Sequence, residues 1–451
     1  MRTKVNRKVA RPAGCQTQRR AGAACLAVAL ATACASQGRG PAGDDERDSS
    51  TTPSPAIDAG GEPACGLSCL FDLAERAPAT CDPDDVAALD AAAAPAWYAG
   101  RALFVSRGRS VAIAGSFNGW DAGALATAPV CGTGLHIALA DVASGRHEYK
   151  IVADQQWSLD PLNAAFAYDE FAGNADGRNS VLNTYDSGLG HLVATPEPLC
   201  SDALGRCGAL QAYLPPGYTD PAHAGRVYPV VYMHDGQNVF DDQDCCFGHT
   251  GWEINVTLDQ RIASGEIGEL IAVGFDHGGP QRIAEYGVPD AEGGKQDSFA
   301  AFQIDTVQPT AEARWRIDPG RRYTAGSSLG GVIAFRLALA RPDVYRGAAS
   351  LSGAFWIGDG SIGDMVKDSG QVPVALYVDH GGTAADGGDN YGANVDLVEV
   401  LADAGWQLSD SPACATGADS LCYFHDAGAQ HDELAWRARA WRFLRFFAPP
   451  M

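Results

Sequence analysis

Short apolar runs recur along the second half of the chain and alternate with longer stretches in which apolar residues return at helical spacing. Such runs are typical of strands buried on both faces, and the helical stretches between them favour a parallel sheet with helices on either side. The pattern therefore predicts an α/β domain over residues 208–448. Its predicted strands are 226–233, 270–275, 321–325, 347–351, 374–378 and 421–424.

A different pattern occupies residues 97–185. Short segments in which apolar and polar residues alternate, at 110–114 and 147–152, are separated by turns rich in glycine, asparagine and aspartate. Strands at this spacing predict a small β-sandwich of the immunoglobulin-like type. A cysteine-containing segment, 65–96, connects it to the preceding chain.

The first 34 residues are typical of an export signal. Basic residues run as far as Arg20, and the apolar run 21–33 that follows is too short to span a bilayer. Small residues precede Cys34, as in a bacterial lipobox, although Ala31 stands where leucine is usual. We expect lipidation at Cys34, the alternative being an ordinary signal peptide cut nearby, and a flexible linker over 35–64.

The net charge of the chain limits the kinds of molecule that the protein is expected to bind. The chain has 33 Lys and Arg against 55 Asp and Glu, a formal net charge of −22, and the 34-residue signal carries basic but no acidic side chains. The exported part is therefore more acidic still. Such a surface repels nucleic acid and anionic membranes, so contact with a membrane is expected only through a lipid anchor. We expect a cell-envelope lipoprotein, or otherwise a secreted protein.

The cysteine count fits an oxidising compartment. Of 13 cysteines, three lie in the first 34 residues, which leaves an even number for disulfides. We expect Cys200–Cys207 and Cys414–Cys422 bridges and two more among the four cysteines 65, 69, 81 and 131. The partner of the adjacent pair 245–246 is open. Zinc is not favoured, because no histidine–cysteine cluster completes a site.

The segment from Gly326 to Gly330 carries the strongest chemical signal. It fits G-x-S-x-G, follows the predicted strand 321–325 and precedes an apolar helical stretch, 332–340. This is the context of the nucleophile elbow of an α/β-hydrolase, in which the central serine, Ser328, is the nucleophile. Ser327 would need glycines at 325 and 329, which hold alanine and leucine.

A serine nucleophile needs a base, and in this fold the histidine comes last in the chain. His431 lies after the last predicted strand and before the last helix, where a loop can reach the serine. His425, at a strand end, and His380 are weaker alternatives. His277 precedes the serine and has the wrong order.

The triad acid should follow the strand 374–378. Asp389 opens a helical stretch there and is favoured, while Asp386 and Asp379 are the alternatives. Each could instead be a helix cap or a surface charge.

An oxyanion hole needs two backbone N–H groups. One is expected from Leu329, which follows the nucleophile, and the other from the loop 234–238, where Gly236 allows close approach of a substrate. Gln237 is the favoured donor and Asn238 the alternative. No metal or organic cofactor is required, and His234 with Asp235 lacks the partners of a metal site.

Several segments resemble one esterase family, which includes esterase D, enterochelin esterase, feruloyl esterases and mycolyltransferases. They are YPVVYMHDGQNVFDD, RIAEYGVP, YTAGSSLGGVIAFRLALARPDVYRGAASLSGAFW and GAQHDELAWRARAWRFLRFF. The resemblance covers about 208–448 and implies the α/β-hydrolase fold with Ser328, Asp389 and His431 as the triad. The pair 245–246 and the glycine-rich stretch 381–388 depart from the family pattern, which affects the pocket more than the chemistry.

The segments VAIAGSFNGWD, GRHEYKIVADQQWSLDP and GRNSVLN resemble carbohydrate-binding module family 48, related to the N-terminal domains of isoamylase-type enzymes. In that family two tryptophans stack on sugar faces while a lysine and an asparagine bind hydroxyls. The matching positions are Trp120, Trp157, Lys150 and Asn179. Many such sandwiches only pack against a catalytic domain, so a glucan ligand is one of two alternatives.

Together these observations predict an exported serine esterase that hydrolyses carboxylic esters through an acyl-enzyme, with acylated carbohydrate of acetyl or feruloyl type as the substrate. The alternatives are an esterase for siderophores or other small esters, an acyltransferase, and a cell-surface glucan-binding protein with an auxiliary hydrolase domain.

Overall fold

The computed structural model describes residues 66–169, 177–240, 250–412 and 414–450. The predicted export signal with Cys34, the linker 35–64 and the cysteine pair 245–246 lie outside these residues. In the part of the chain that is described, no helix combines the length and apolarity needed to cross a bilayer.

The N-terminal part of the described chain begins with two helices and continues as short strands. The helices are α1 (Leu67–Thr80) and α2 (Pro83–Ala91). The strands are β1 (Ala96–Tyr98), β2 (Arg101–Arg107), β3 (Ala112–Gly115), β4 (Ala128–Val130), β5 (Leu135–Asp141), β6 (Arg146–Ala153), β7 (Gln156–Ser158), β8 (Ala165–Tyr168), β9 (Arg178–Asn183) and β10 (His191–Ala194).

Two sheets of this part pack face to face. The sheet β1-β2-β5-β4 places alternate residues of β2 on opposite faces, as a strand must. Phe104 packs inward with Ile113 and Tyr149 of the second sheet. Leu103 points the other way, where the apolar face of α1, including Phe71, covers it.

The C-terminal part alternates strands and helices. Its strands are β11 (Leu199–Ser201), β12 (Arg206–Gly208), β13 (Leu210–Leu214), β14 (Tyr228–His234), β15 (Ile271–Phe275), β16 (Ile317–Ser327), β17 (Gly347–Leu351), β18 (Ala375–His380), β19 (Gln407–Ser409) and β20 (Ser420–His425). Its helices are α3 (Ile254–Ala263), α4 (Arg282–Gly287), α5 (Gln296–Phe302), α6 (Gln308–Arg314), α7 (Leu329–Ala340), α8 (Ser361–Ser369), α9 (Tyr391–Ala404) and α10 (Glu433–Phe447).

One sheet runs through both parts of the molecule. From β19 to β15 the strands are parallel, in the order β19-β20-β18-β17-β16-β14-β15. β13 adds an antiparallel edge to β15, and β10 pairs with β13, so the sheet continues into β8, β9, β6 and β3. Backbone hydrogen bonds therefore fuse the N-terminal strands to the large sheet.

Helices cover both faces of the parallel strands, which explains their continuous apolar runs. Along β14, Val230 and Tyr232 belong to one buried cluster, whereas Val231 and Met233 belong to the cluster on the other face. Because every residue of β14 is buried, a strand in this position cannot alternate between apolar and polar residues.

Three disulfides lie within the described residues: Cys81–Cys131, Cys200–Cys207 and Cys414–Cys422. The two predicted local bridges are thus present, and Cys81–Cys131 closes one bridge within the predicted group of four. Cys69 is also disulfide-bonded.

Candidate active site

The predicted catalytic residues all follow the carboxyl ends of parallel strands, which meet at one edge of the sheet. Ser328 follows β16, Asp389 lies in the segment after β18, and His431 follows β20. The loop 234–238 begins at the same end of β14. Ligand and catalytic sites of open α/β sheets lie at this edge, so the fold gathers side chains that are far apart in sequence.

The serine of the Gly-x-Ser-x-Gly motif lies at a sharp turn. β16 ends at Ser327, α7 begins at Leu329, and Ser328 between them has φ 54° and ψ −121°. A residue with a side chain adopts such angles only under strain, and strain of this kind concentrates at functional sites. A Cβ at Gly326 would lie 2.6 Å from the backbone carbon of Gly330. Glycine at 326 is therefore a steric requirement of the turn.

Two backbone hydrogen bonds hold this turn against the neighbouring strand. The N–H of Ser328 donates to the carbonyl of Leu351 at 3.0 Å, and its carbonyl accepts from Ala354 at 3.1 Å. Ser328 is buried, with 2% of its surface exposed. The end of β17 thus fixes the position of the serine.

His431 and Asp389 form a hydrogen-bonded pair. Nδ1 of His431 lies 2.8 Å from Oδ1 of Asp389, whose side chain is 1% exposed against 21% for the imidazole. The indole of Trp436 packs edge-on against the imidazole, with ring centroids 5.1 Å apart. In a histidine whose Nδ1 is held by a carboxylate in this way, proton transfer takes place at Nε2.

The alternative acids have other partners. Asp379 is fully buried, accepts a hydrogen bond from Tyr377 at 2.8 Å and pairs with Arg439 at 3.0 Å. Burial raises the pKa of Asp379 to about 6, although the guanidinium of Arg439 opposes this. Asp386 accepts from the backbone of its own turn, at Thr383 and Gly388, and these bonds lower its pKa. Within the described part of the chain, neither carboxylate is bonded to a histidine.

The alternative histidines hold the glycine-rich stretch in place. His380 contacts the carbonyl of Gly381 through Nδ1 and the hydroxyl of Tyr423 through Nε2, both at 2.8 Å. His425 bonds the carbonyl of Gly382 at 2.8 Å, and the two imidazoles stack with centroids 4.8 Å apart. Both imidazoles therefore bond to carbonyls of the glycine-rich segment that leads to Asp389.

The second oxygen of Asp389 has partners that the sequence analysis missed. Oδ2 accepts hydrogen bonds from the hydroxyl of Ser352, at 2.7 Å, and from the N–H of Gly381. Ser352 in turn accepts from the indole of Trp436 and from Arg439. The one feature of the sequence that could have pointed to Ser352 is its place in the chain. It directly follows the predicted strand 347–351, at the edge of the sheet where the site forms.

The predicted oxyanion donors differ in their backbone contacts. The N–H of Asn238 donates to the carbonyl of Asp235 at 2.8 Å. Among the described residues, neither Leu329 nor Gln237 donates its backbone N–H to a carbonyl of a loop or turn. A Cβ at Gly236 would lie 2.5 Å from the backbone of Phe275, so this loop can pack only with glycine there. Of the two candidate donors in this loop, Asn238 already uses its N–H within the loop.

A buried ion pair anchors the same loop and was also missed. Asp235, with φ 63°, receives a bidentate pair of hydrogen bonds from Arg282, at 2.6 and 2.8 Å. Burial raises the pKa of Asp235, but the guanidinium of Arg282 more than offsets this and holds that pKa below its usual value. Arg206 and Glu285 form a second bidentate pair beside it, at 2.7 Å. Arg282 belongs to the segment RIAEYGVP, for which the sequence predicts no role.

Two of the four predicted sugar-binding residues lie together on the surface. Trp120 and Trp157 are 36% and 40% exposed, and their ring centroids are 6.5 Å apart. Lys150 is buried and donates to the carbonyl of Arg178 at 2.9 Å. Asn179 is also buried, and its amide donates to two carboxylates. Lys150 and Asn179 therefore do not accompany the tryptophans.

In the described ranges, no group of three or more His, Cys, Asp or Glu side chains is placed to hold a metal. His234 is buried beside Asp235, and its Nε2 lies 3.0 Å from the hydroxyl of Thr324. Burial lowers the pKa of His234 to about 4, an effect that Asp235 partly opposes.

Comparison with solved structures gives distant similarities. A ferulic acid esterase is 18% identical with a TM-score of 0.45, covering 58% of this chain and 99% of that one. The siderophore hydrolase EstB from Aspergillus nidulans is 18% identical with a TM-score of 0.44, over 57% and 95%. The enterobactin esterase FES from Shigella flexneri is 14% identical with a TM-score of 0.42, over 76% and 93%. A search of curated proteins gives no match.

A comparison with protein-family models is more informative. The model named Esterase, described as "Putative esterase", matches residues 201–439, which is more than half of the chain. The matched region contains the nucleophile elbow and both partners of the histidine–aspartate pair. The protein therefore belongs to this esterase family, with the α/β-hydrolase fold that membership implies, and is a carboxylic ester hydrolase.

Proposed function

We propose that the protein is an exported serine esterase in which Ser328 is the nucleophile, His431 the general base and Asp389 the residue that orients the imidazole. The observation that carries the proposal is the strained turn at Ser328 on the same sheet edge as the hydrogen-bonded pair of His431 and Asp389. A serine hydroxyl is a weak nucleophile until an adjacent base accepts its proton, and this edge supplies such a base.

The first half of the reaction forms an acyl-enzyme. The hydroxyl oxygen of Ser328 attacks the ester carbonyl carbon while Nε2 of His431 takes the hydroxyl proton. The carbon–oxygen bond to the alcohol then breaks, and the imidazolium returns this proton to the departing alcohol. The buried carboxylate of Asp389 stabilises the imidazolium between these steps.

The second half releases the acid. Water attacks the acyl carbon as His431 accepts its proton, and the bond to Ser328 breaks as that proton passes to the serine oxygen. In both halves the carbonyl oxygen carries negative charge, which the backbone N–H groups of Leu329 and Gln237 are suited to stabilise.

Hydrolysis of p-nitrophenyl acetate and butyrate tests the assignment. Wild-type protein should turn over both esters, and Ser328→Ala should lose turnover by about 10³-fold or more, as loss of a triad member does. Ser327→Ala is the matched control, since the neighbouring serine lies in the strand and should leave turnover intact. Equal turnover in Ser328→Ala and wild type would contradict the proposal.

For the substrate we propose an ester of a carbohydrate. The supporting observation is the pair of exposed tryptophans, Trp120 and Trp157, because flat indole rings cover the apolar face of a sugar. Faster turnover of acetylated or feruloylated saccharides than of a ferric trilactone would support this proposal. Preference for the trilactone would favour a siderophore esterase, and transfer of the acyl group to an added alcohol would favour an acyltransferase.

We also propose that the N-terminal strands form a module of the family 48 type that binds glucan through the two tryptophans. In affinity gels containing soluble glucan, wild-type protein should be retarded and Trp120→Ala and Trp157→Ala should not. Trp97→Phe serves as control, because that indole is partly buried and bonded to the carbonyl of Val142. Retardation that persists in both surface variants would exclude this site.

Export is proposed from the N-terminal sequence and from the disulfides, which form in oxidising compartments. Lipidation at Cys34 would anchor the mature chain to the cell envelope. Metabolic labelling with a fatty acid should mark the wild-type protein and not Cys34→Ala. Labelling of both, or of neither, would contradict the lipid anchor.

A further inference from the structure

The hydroxyl of Ser352 sits among three polar partners at the rear of the proposed site. It lies 2.7 Å from Oδ2 of Asp389, 2.9 Å from the indole nitrogen of Trp436 and 2.9 Å from Nη2 of Arg439. Ser352 has no exposed surface, so water does not compete for these bonds.

These partners determine where the hydroxyl proton points. An indole nitrogen and a guanidinium can only donate, so Trp436 and Arg439 occupy the two lone pairs of the Ser352 oxygen. The single proton of Ser352 must then be donated to Asp389. The direction of this hydrogen bond is therefore fixed by the surrounding side chains and not by a free rotation of the hydroxyl.

The same hydroxyl separates two charges. Nη2 of Arg439 is 3.8 Å from Oδ2 of Asp389, beyond hydrogen-bond distance, while Nε of Arg439 is bonded to Asp379 at 3.0 Å. Arg439 is 2% exposed at its side chain, and Asp379 is held in turn by Tyr377. A direct guanidinium–carboxylate hydrogen bond would compete with the imidazole for the oxygens of Asp389.

We propose that Ser352 is a positioning residue for the esterase reaction: its hydroxyl orients the Asp389 carboxylate toward His431 and keeps Arg439 from hydrogen-bonding directly to that carboxylate. The proposal rests on the assignment of the triad given above. Ser352 does not touch the substrate in this role. Its effect reaches the reaction through the carboxylate, whose Oδ1 is left for Nδ1 of His431.

The backbone at Ser352 guides the choice of variants. With φ 52°, it lies in the left-handed region that glycine adopts freely and alanine does not. Ser352→Gly and Ser352→Ala remove the same hydroxyl with different backbone costs. Ser350→Ala is the matched control, since Ser350 is a fully buried serine of β17, two positions before Ser352, whose hydroxyl has no partner among the described residues.

The experiment combines kinetics with proton NMR of the full protein. Both Ser352 variants should lose about 10- to 100-fold in kcat on p-nitrophenyl butyrate with less than about threefold change in KM, as expected for a misplaced catalytic group. The far-downfield resonance of the His431 Nδ1 proton, a signature of its bond to Asp389, should shift or vanish. Ser350→Ala should keep both the wild-type kcat and the wild-type resonance.

The two possible failures give different results. Wild-type kcat and an unmoved resonance in both Ser352 variants, with Ser328→Ala inactive, would overturn the role of Ser352 and leave the esterase mechanism intact. A kcat loss that differs between the glycine and alanine variants in proportion to their stability, with the resonance unmoved, would also overturn it. Full activity in Ser328→Ala would instead reject the triad on which the proposal rests.

Discussion

The buried pair of Arg282 and Asp235 allows a direct test of how the proposed oxyanion loop, residues 234–238, is held. The substitution Arg282→Met keeps much of the side-chain volume and removes the charge. In the wild type, Nε and Nη2 of Arg282 contact the two oxygens of Asp235 at 2.6 and 2.8 Å, and the side chains are 11% and 7% exposed. The substitution leaves a carboxylate buried and unpaired.

The expected cost follows from this burial. Removing one partner of a buried ion pair destabilises a protein by about 3–5 kcal/mol, because the remaining charge keeps its desolvation penalty. For a domain of this size the melting temperature should fall by about 6–20 °C. Asp235 directly precedes the glycine and glutamine of the proposed oxyanion loop, so kcat should also fall by about 10²-fold.

The loss of stability in Arg282→Met should depend on pH, in a direction set by the protonation of Asp235. In the wild type the pKa of Asp235 lies below its ordinary value, so the pair stabilises the fold above that value and the stabilisation is lost as pH falls through the lowered pKa. Without Arg282, burial alone raises the pKa of Asp235, and protonation at acidic pH relieves the unpaired charge. The difference between variant and wild type should therefore be larger at pH 7 than at pH 4.

Urea unfolding followed by circular dichroism at both pH values measures these free energies. The double variant Asp235→Asn with Arg282→Met removes the stranded charge and keeps a residue that tolerates φ 63°. It should be more stable than Arg282→Met by about 2 kcal/mol or more. A loss of stability below about 1 kcal/mol in Arg282→Met at pH 7, with wild-type kcat, would show that the ion pair does not hold this loop.

Two further predictions concern burial and sterics. Burial, with a smaller contribution from Arg146, lowers the pKa of His191 to about 4, so the neutral imidazole stabilises the fold fully above its ordinary pKa and this stabilisation is lost as pH falls toward 4. His191→Leu should remove about 3 kcal/mol of the stability change between pH 7 and pH 4, measured by urea unfolding. An unchanged dependence of stability on pH in this variant would contradict the prediction. Gly326→Ala should abolish esterase activity, since the added Cβ meets backbone at 2.6 Å, whereas Gly363→Ala in α8, with open space around it, should keep full activity and gain about 0.5–1 kcal/mol. Similar activity in the two alanine variants would rule out the steric account of the elbow.

Much of the large sheet could be predicted because buried parallel strands are apolar throughout. The predicted strand 347–351 coincides with β17, and the predicted strand 226–233 overlaps β14, which runs from Tyr228 to His234. The elbow was also predictable, since a strand, a glycine-flanked serine and a helix are local features. The strand β16 is longer than predicted, beginning at Ile317, because its polar first residues do not read as an apolar run.

The contacts behind the site could not be predicted in the same way. Ser352 and Arg439 are separated by 87 positions in sequence, and only the packing of α10 against β17 brings them together. The ion pair of Arg282 with Asp235 likewise joins positions 47 apart. A pattern of apolar and polar positions specifies which face of an element is buried, but not which polar groups meet inside.

The N-terminal strands illustrate a second limit. The family resemblance aligns Lys150 and Asn179 with sugar-binding positions, yet the pleat of β6 and β9 turns both side chains inward, where they bond to protein groups. A single sequence aligns positions without showing which side of a strand faces solvent. The pairing of β10 with β13 fuses these strands to the large sheet. This pairing could not be predicted from the local pattern of apolar and polar residues either.

The proposed mechanism requires that Ser328 becomes acylated with the help of His431, and covalent labelling with a serine-reactive ester analogue measures this step. The protein is treated with a fluorophosphonate ester analogue, digested, and mapped by mass spectrometry beside Ser328→Ala and His431→Ala. The mechanism predicts one adduct on Ser328 in the wild type, no adduct in Ser328→Ala and greatly slowed labelling in His431→Ala. Labelling at another residue, or at wild-type rate in either variant, would contradict it.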